Sequence, residues 1–85
     1  MSVQADVKNY CETHRPISEF NEFGDYVITI YSYNDDSTAY VTETYGTTKK
    51  YRKVRTGCNV RNNKLFIILD NKRYYLDQFT SITDA

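Results

Sequence analysis

Apolar spacing along the chain changes from a helical period to an alternating one near residue 26. Val3, Val7, Tyr10, Cys11 and His14 recur at steps of four, three, one and three, which places them on one stripe of an α-helix. Lys8, Glu12 and Thr13 fall on the remaining face, Ser2 stands at the N-cap position, and Pro16 disfavours helical geometry at Arg15. The spacing therefore predicts a helix of about three turns that ends near His14. A helix that short is marginal alone, so its stripe must lie on a sheet. In the next segment, Ile17, Phe20 and Phe23 are spaced for one helical turn opened by Ser18 and closed by Gly24, with an irregular connection as the alternative. The two phenylalanines are expected to plug the mouth of the core, and the competing expectation is an exposed partner-binding motif.

From Tyr26 the period is two. Tyr26, Ile28, Ile30 and Ser32 share one face of a strand, and Val27, Thr29, Tyr31 and Tyr33 share the other. Asn34-Asp35-Asp36-Ser37 is a reversal by composition. Thr38 to Tyr45 alternates Ala39, Val41, Glu43 and Tyr45 against Tyr40, Thr42 and Thr44, so one face of this strand is expected to meet water. Gly46-Thr47-Thr48 turns the chain into a strand from Lys49 to Thr56. Gly57 is read as a bulge or turn, Cys58 to Arg61 as a short strand or linker, and Asn62-Asn63 as another reversal. Leu65 to Leu69 is the longest apolar run, expected to sit centrally with both faces covered. Asp70-Asn71-Lys72 reverses the chain tightly into a partner strand with Tyr74 and Leu76 on one side and Tyr75 on the other. The tail from Thr80 to Ala85 is expected to fray. These elements predict one α+β domain over residues 1–85, an N-terminal helix packed on a small, curved, mostly antiparallel sheet of five to six short strands.

Composition narrows the classes. With 85 residues the chain is near the lower end of what a single core can stabilise, and 40% hydrophobic with 15% aromatic residues is too much apolar material for a disordered chain. Eleven basic residues balance eleven acidic ones, so any charge argument must be local. The N-terminus lacks the pattern of a secretory signal and no stretch is long enough to span a bilayer, which leads to the expectation of a cytoplasmic protein with no membrane partner. Cys11 and Cys58 are expected as buried free thiols, the alternative being one disulfide between helix and sheet. His14 is the single histidine and no cysteine spacing resembles a zinc module, so neither a metal nor a cofactor is expected. Cys11 and His14 are one helical turn apart but lack a third, orienting group, so no catalytic residue is assigned and the chain is not expected to be an enzyme.

Positive charge is gathered in one place. Seven of the eleven basic residues fall between Lys49 and Lys64, a stretch without Asp or Glu. In a strand Lys49, Tyr51, Lys53 and Arg55 project to one side, giving cations around an aromatic ring. The alternative is an edge strand protected from aggregation by its charges and facing the acidic stretch Glu19 to Asp25, or Asp35-Asp36, of the same molecule. Nine tyrosines exceed what a small core needs, and a strand face bearing Tyr31 and Tyr33, or one bearing Tyr40, is expected as a contact platform, with core and cross-strand packing as the alternative for each ring. The leading expectation is a small non-enzymatic interaction or inhibitor protein. It would dock on a protein or nucleoprotein partner through Tyr31, Tyr33, Tyr40, Lys49, Lys50, Tyr51, Arg52, Lys53, Arg55 and Arg61. In its compact, site-free, Tyr- and Asn-rich character the chain resembles small proteins encoded by phages and other mobile elements, among them inhibitors of host proteins. The second expectation is a module for single-stranded nucleic acid built on Lys49 to Lys64. The third is a small ribonuclease-type toxin, which the chain resembles in size and layout alone, using His14, Tyr51, Tyr74 and Tyr75; such toxins are strongly basic, and the neutral balance argues against one. Pairing of an open sheet edge with a second copy is compatible with all of these.

Overall fold

The computed structural model describes residues 3–21 and 24–82, so the expected cap at Ser2 and the plug at Phe23 lie outside the described residues. Helix α1 (Val3–Thr13) forms where its spacing predicts. Val7 and Cys11 are buried, and Tyr10 meets Tyr40 edge-on with ring centroids 5.3 Å apart, so the apolar stripe lies on the sheet. His14, one turn past the buried cysteine, stays exposed and stacks flat on Tyr10 at 3.7 Å.

Among the described residues seven strands follow, one or two more than the alternation predicts: β1 (Ser18–Asn21), β2 (Tyr26–Tyr33), β3 (Thr38–Tyr45), β4 (Thr48–Asn59), β5 (Lys64–Leu69), β6 (Lys72–Tyr75) and β7 (Thr80–Ser81). All pair antiparallel in one sheet of order β6-β5-β4-β3-β2-β1-β7. The additional strands come from the two stretches whose spacing misleads. Ser18 to Asn21 is not a helical turn. It is laddered to β2 from Ser18↔Ile30 to Asn21↔Val27, with Phe20 turned to the core and Ile17 left at the surface. Thr80 and Ser81 do not fray, because Ser18↔Ser81 and Glu19↔Thr80 give them ladder partners on β1.

The chain passes from β6 at one edge of the sheet to β7 at the other through Leu76 to Phe79 alone, with a 3₁₀ turn over Leu76–Gln78. Five Cα steps from Tyr75 to Thr80 reach at most about 18 Å. A flat seven-stranded sheet would place its edges farther apart, at about 4.8 Å per strand spacing, so the sheet must curl. Phe20 of β1 accordingly touches both Tyr74 of β6, at 5.7 Å, and Phe79, at 5.3 Å between centroids. The core fills the inside of the curl with Ile28, Ile30, Ala39, Val41, Val54, Ile67, Leu69 and Tyr74.

Several details correct the alternation. The β2–β3 register jumps from Ile30↔Val41 to Ser32↔Tyr40 and Tyr33↔Ala39, which makes Tyr31 a bulge. Beyond it Tyr33 shares the inner face and Ser32 the outer, the reverse of the simple pattern. On β3 the outer face is not wet, since Thr42 is buried on the side where α1 packs. β4 continues through Gly57 to Asn59 without a break. β5 lies next to the edge rather than centrally, and its both-faced cover holds for Phe66, Ile67 and Leu69 but not for Leu65, which is 55% exposed. The tight reversal is as expected, with Asp70 and Asn71 both at positive φ, the signature of a type I′ hairpin.

Candidate docking surface

The backbone of β4 has two different surroundings. On one side it is laddered to β3 from Thr48↔Tyr45 to Arg55↔Thr38. On the other it is laddered to β5 only from Arg55↔Ile68 to Asn59↔Lys64, because the hairpin turns back at Asp70. From Thr48 to Val54 that second flank has no strand among the described residues. Which groups point there follows from one bond: the Thr56 N–H donates to the Ser37 carbonyl at 2.9 Å, on the β3 side. Backbone direction alternates along an antiparallel strand, so the N–H and C=O of Lys49, Tyr51 and Lys53 point away from β3 into the open flank. β4 is thus interior over its second half and an edge over its first, and the protected-edge reading applies to the first half alone.

Side chains divide the basic residues between two faces. Lys49, Tyr51, Lys53 and Arg55 share the outer face, as alternation predicts, while Lys50 and Arg52 take the inner one. Arg52 closes the mouth of the curl. Its guanidinium reaches Glu43 and Asp70, each at 2.8 Å, and Glu43 also accepts the Tyr26 hydroxyl at 2.7 Å. The Glu43 side chain is only 14% exposed, so these donors stand in for lost water. Hydrogen bonding and charge from Arg52 hold the Asp70 carboxyl below the usual carboxylate range. Burial, followed by the bond to Glu43, pushes the Tyr26 phenol well above the usual tyrosine value. Lys53 pairs with Asp36 at 3.4 Å, one of the acidic reversals expected to face it, and Lys64 pairs with Asp77 at 2.8 Å. Lys49, Lys50, Arg55 and Arg61 are exposed and have no ion-pair partner among the described residues.

Tyr31, Tyr33 and Tyr40 do not share one face of the sheet. Tyr31 occupies the bulge, Tyr33 sits on the inner side and is 48% exposed, and Tyr40 lies on the outer side against Tyr10. Tyr45, which the alternation alone does not single out, is 67% exposed at the end of β3 beside Gly46, where a hairpin tip carries a ring that the core cannot reach. Cys11 and Cys58 are both free; burial pushes the Cys11 thiol up to about 11, whereas Cys58 is exposed, contrary to expectation. Cys58 lies on the rim because its cross-strand neighbour Leu65 is also outside the core. His14 bonds to Thr13 and Tyr10 and has no bond or ring contact with Tyr51, Tyr74 or Tyr75, and Tyr74 and Tyr75 point to opposite faces of β6. A shallow polar notch of about 320 Å³ opens between Asn62, Lys64, Tyr75, Asp77 and Gln78. Among the described residues no group of three His, Cys, Asp or Glu side chains is placed to hold a metal ion, and no helix is long and apolar enough to cross a membrane.

The raised Tyr26 and Cys11 values set a direction for pH dependence. A group whose folded pKa lies above its unfolded value contributes stability at pH below the unfolded value and loses it as pH rises. Unfolded values of 9.0 for the thiol and 10.0 for the phenol place the loss above about pH 9. Thermal denaturation is expected to show a Tm that falls from pH 9 to 11. Phenolate absorbance is expected to show one tyrosine that ionises only on unfolding. A flat Tm across that range would contradict the half-buried Tyr26–Glu43 bond.

Comparison with protein-family models, with curated proteins and with solved structures returned no match to this chain.

Proposed function

We propose that this chain is a non-enzymatic docking protein that engages an acidic surface of a partner protein through the first half of β4. The observation that carries this reading is the set of exposed cations Lys49, Lys50 and Arg55, which have no ion-pair partner among the described residues although acidic side chains elsewhere are used in pairs. Side chains left uncompensated on a regular strand cost little in water, and beyond protecting the edge they are ready to meet a complementary surface. Covering a partner's working surface in this way is how a protein without a catalytic constellation inhibits, and the reading extends to that role.

A protein partner is favoured over single-stranded nucleic acid by what surrounds the cations. Base stacking needs open ring faces beside the basic strand. On the outer face Tyr40 is engaged by Tyr10, whose ring is in turn covered by His14, and Tyr51 is half-buried. Arg52 and Lys53, in the middle of the basic run, are engaged with Glu43, Asp70 and Asp36.

The test uses the triple variant Lys49→Glu, Lys50→Glu, Arg55→Glu. These are surface positions, so each change is expected to move stability by no more than about 0.5 kcal/mol. Affinity capture from the native host, repeated with nuclease and at rising salt, is expected to retain a protein on the unaltered chain, independently of nuclease, and to lose it from the variant. Retention that nuclease abolishes transfers the reading to nucleic acid. Equal retention by the folded variant removes β4 from it.

A further inference from the structure

The open flank of β4 offers more than charge. The N–H and C=O of Lys49, Tyr51 and Lys53 point out of the sheet edge, with no backbone partner among the described residues. Each is a strong hydrogen-bonding group spaced as a strand requires. We infer that this edge accepts an extended acidic segment of a partner protein as an added antiparallel strand, in register with Lys49 to Lys53.

The occupant is selected by the side chains that flank the ladder. In antiparallel addition each partner residue lies opposite one residue of β4, and opposite charges in that relation attract. Lys49 on the outer face and Lys50 on the inner call for acidic residues opposite them, and Lys53, held only by the exposed Asp36 at 3.4 Å, takes a third in exchange for that contact. Arg52 is held by Glu43 and Asp70 and asks for a neutral residue, and Tyr51 for a β-branched one. Read from the position opposite Lys53 to that opposite Lys49, the matching segment is Glu-Thr-Val-Glu-Glu. A second copy of this chain is excluded as occupant by the same rule, since edge-to-edge pairing of two β4 strands sets lysines against lysines. Addition of a strand to a sheet edge draws its affinity from main-chain bonds and its selectivity from alternate side chains, so a short linear segment suffices.

This inference rests on the docking role proposed above, and the experiment separates the two. The probe is an acetylated ten-residue peptide with the core Glu-Thr-Val-Glu-Glu flanked by threonines. The control is the same peptide N-methylated at the alternate residues whose N–H would face β4, which keeps every charge and removes the donors. Amide exchange of the full chain is followed by NMR at a peptide concentration of ten times Kd. Exchange at Lys49, Tyr51 and Lys53 is expected to slow about tenfold, as 1 + [L]/Kd requires. Lys50 and Arg52, whose N–H groups already face β3, are expected to be unchanged. The N-methylated peptide is expected to bind about tenfold more weakly or worse, and Lys49→Glu with Lys53→Glu to abolish binding of both. Equal affinity of the two peptides overturns strand addition while leaving the docking role intact. Absence of binding by either peptide overturns the inference, and the docking role then stands or falls with the capture experiment above. Slow exchange at Lys49, Tyr51 and Lys53 in the free protein also overturns the inference. Slowing that grows with protein concentration would show the flank filled by a second copy, and slowing independent of it would show it filled by the chain's own remaining residues.

Discussion

Arg52→Ala is expected to destabilise the protein by about 2 kcal/mol, below the cost of breaking a fully buried ion pair because this one is only partly buried. Arg52 bonds Glu43 and Asp70 at 2.8 Å each across the mouth of the curl. The alanine variant leaves the Glu43 carboxylate, 14% exposed, with the Tyr26 hydroxyl as its remaining partner among those described. Most of the loss belongs to that stranded carboxylate and little to Asp70, whose side chain is 68% exposed and rehydrates. Replacing both members, Glu43→Leu with Arg52→Leu, is therefore expected to recover a large part of the stability, since a well-filled apolar pair of similar volume avoids the buried charge. Urea unfolding followed by circular dichroism measures both variants. A loss below about 0.5 kcal/mol for Arg52→Ala would place Arg52 among ordinary surface cations. The depressed Asp70 value adds a pH signature. A carboxyl whose folded pKa lies below its unfolded value of 3.8 contributes stability above that pH and loses it as pH falls, so the unaltered protein is expected to weaken below about pH 4 and Arg52→Ala to weaken less steeply there.

Gly57→Val is expected to cost about 3 kcal/mol, for a reason of shape alone. A Cβ at Gly57 would lie 2.7 Å from Cζ and 2.8 Å from Cε1 of Phe66, its cross-strand partner. Phe66 cannot swing clear, because its ring is buried, meets Tyr75 edge-on at 5.4 Å, and carries the Arg73 guanidinium 4.7 Å above it. The ring covers the backbone that glycine leaves bare, and any side chain there must displace it. Gly57→Ala, with a single carbon in the same place, is expected to cost about half as much. For a domain of this size 3 kcal/mol corresponds to a fall in Tm of about 12 to 24 °C. Wild-type stability in the valine variant, measured by thermal denaturation, would mean that Phe66 does not rest on Gly57.

Both residues are visible in the sequence, where their neighbours point to other roles. Arg52 stood in a run of cations, and nothing in the run distinguishes it from Lys50 two places earlier on the same face. What separates them is the reach of Asp70 from a hairpin eighteen residues downstream. Gly57 looked like a break in a strand because glycine is usually punctuation there; the strand continues because Phe66 lies over it. Ser18 to Asn21 carried a helical spacing in Ile17, Phe20 and Phe23, and became a strand because β2 offered its backbone a ladder.

What the sequence determined by itself is local. The helix and its end before Pro16, the alternation of β3 and of β2 as far as the bulge at Tyr31, the positive-φ turn at Asp70-Asn71 and the gathering of cations on one strand all depend on neighbours a few residues away, and period and turn chemistry encode them. The tertiary structure alone decided the curl, the added strands β1 and β7, and the removal of Arg52 into an ion-pair network. It also decided that β4 runs past the end of its neighbour. These depend on where strands of different length stop beside one another, which is a property of pairing between distant segments that no single segment carries.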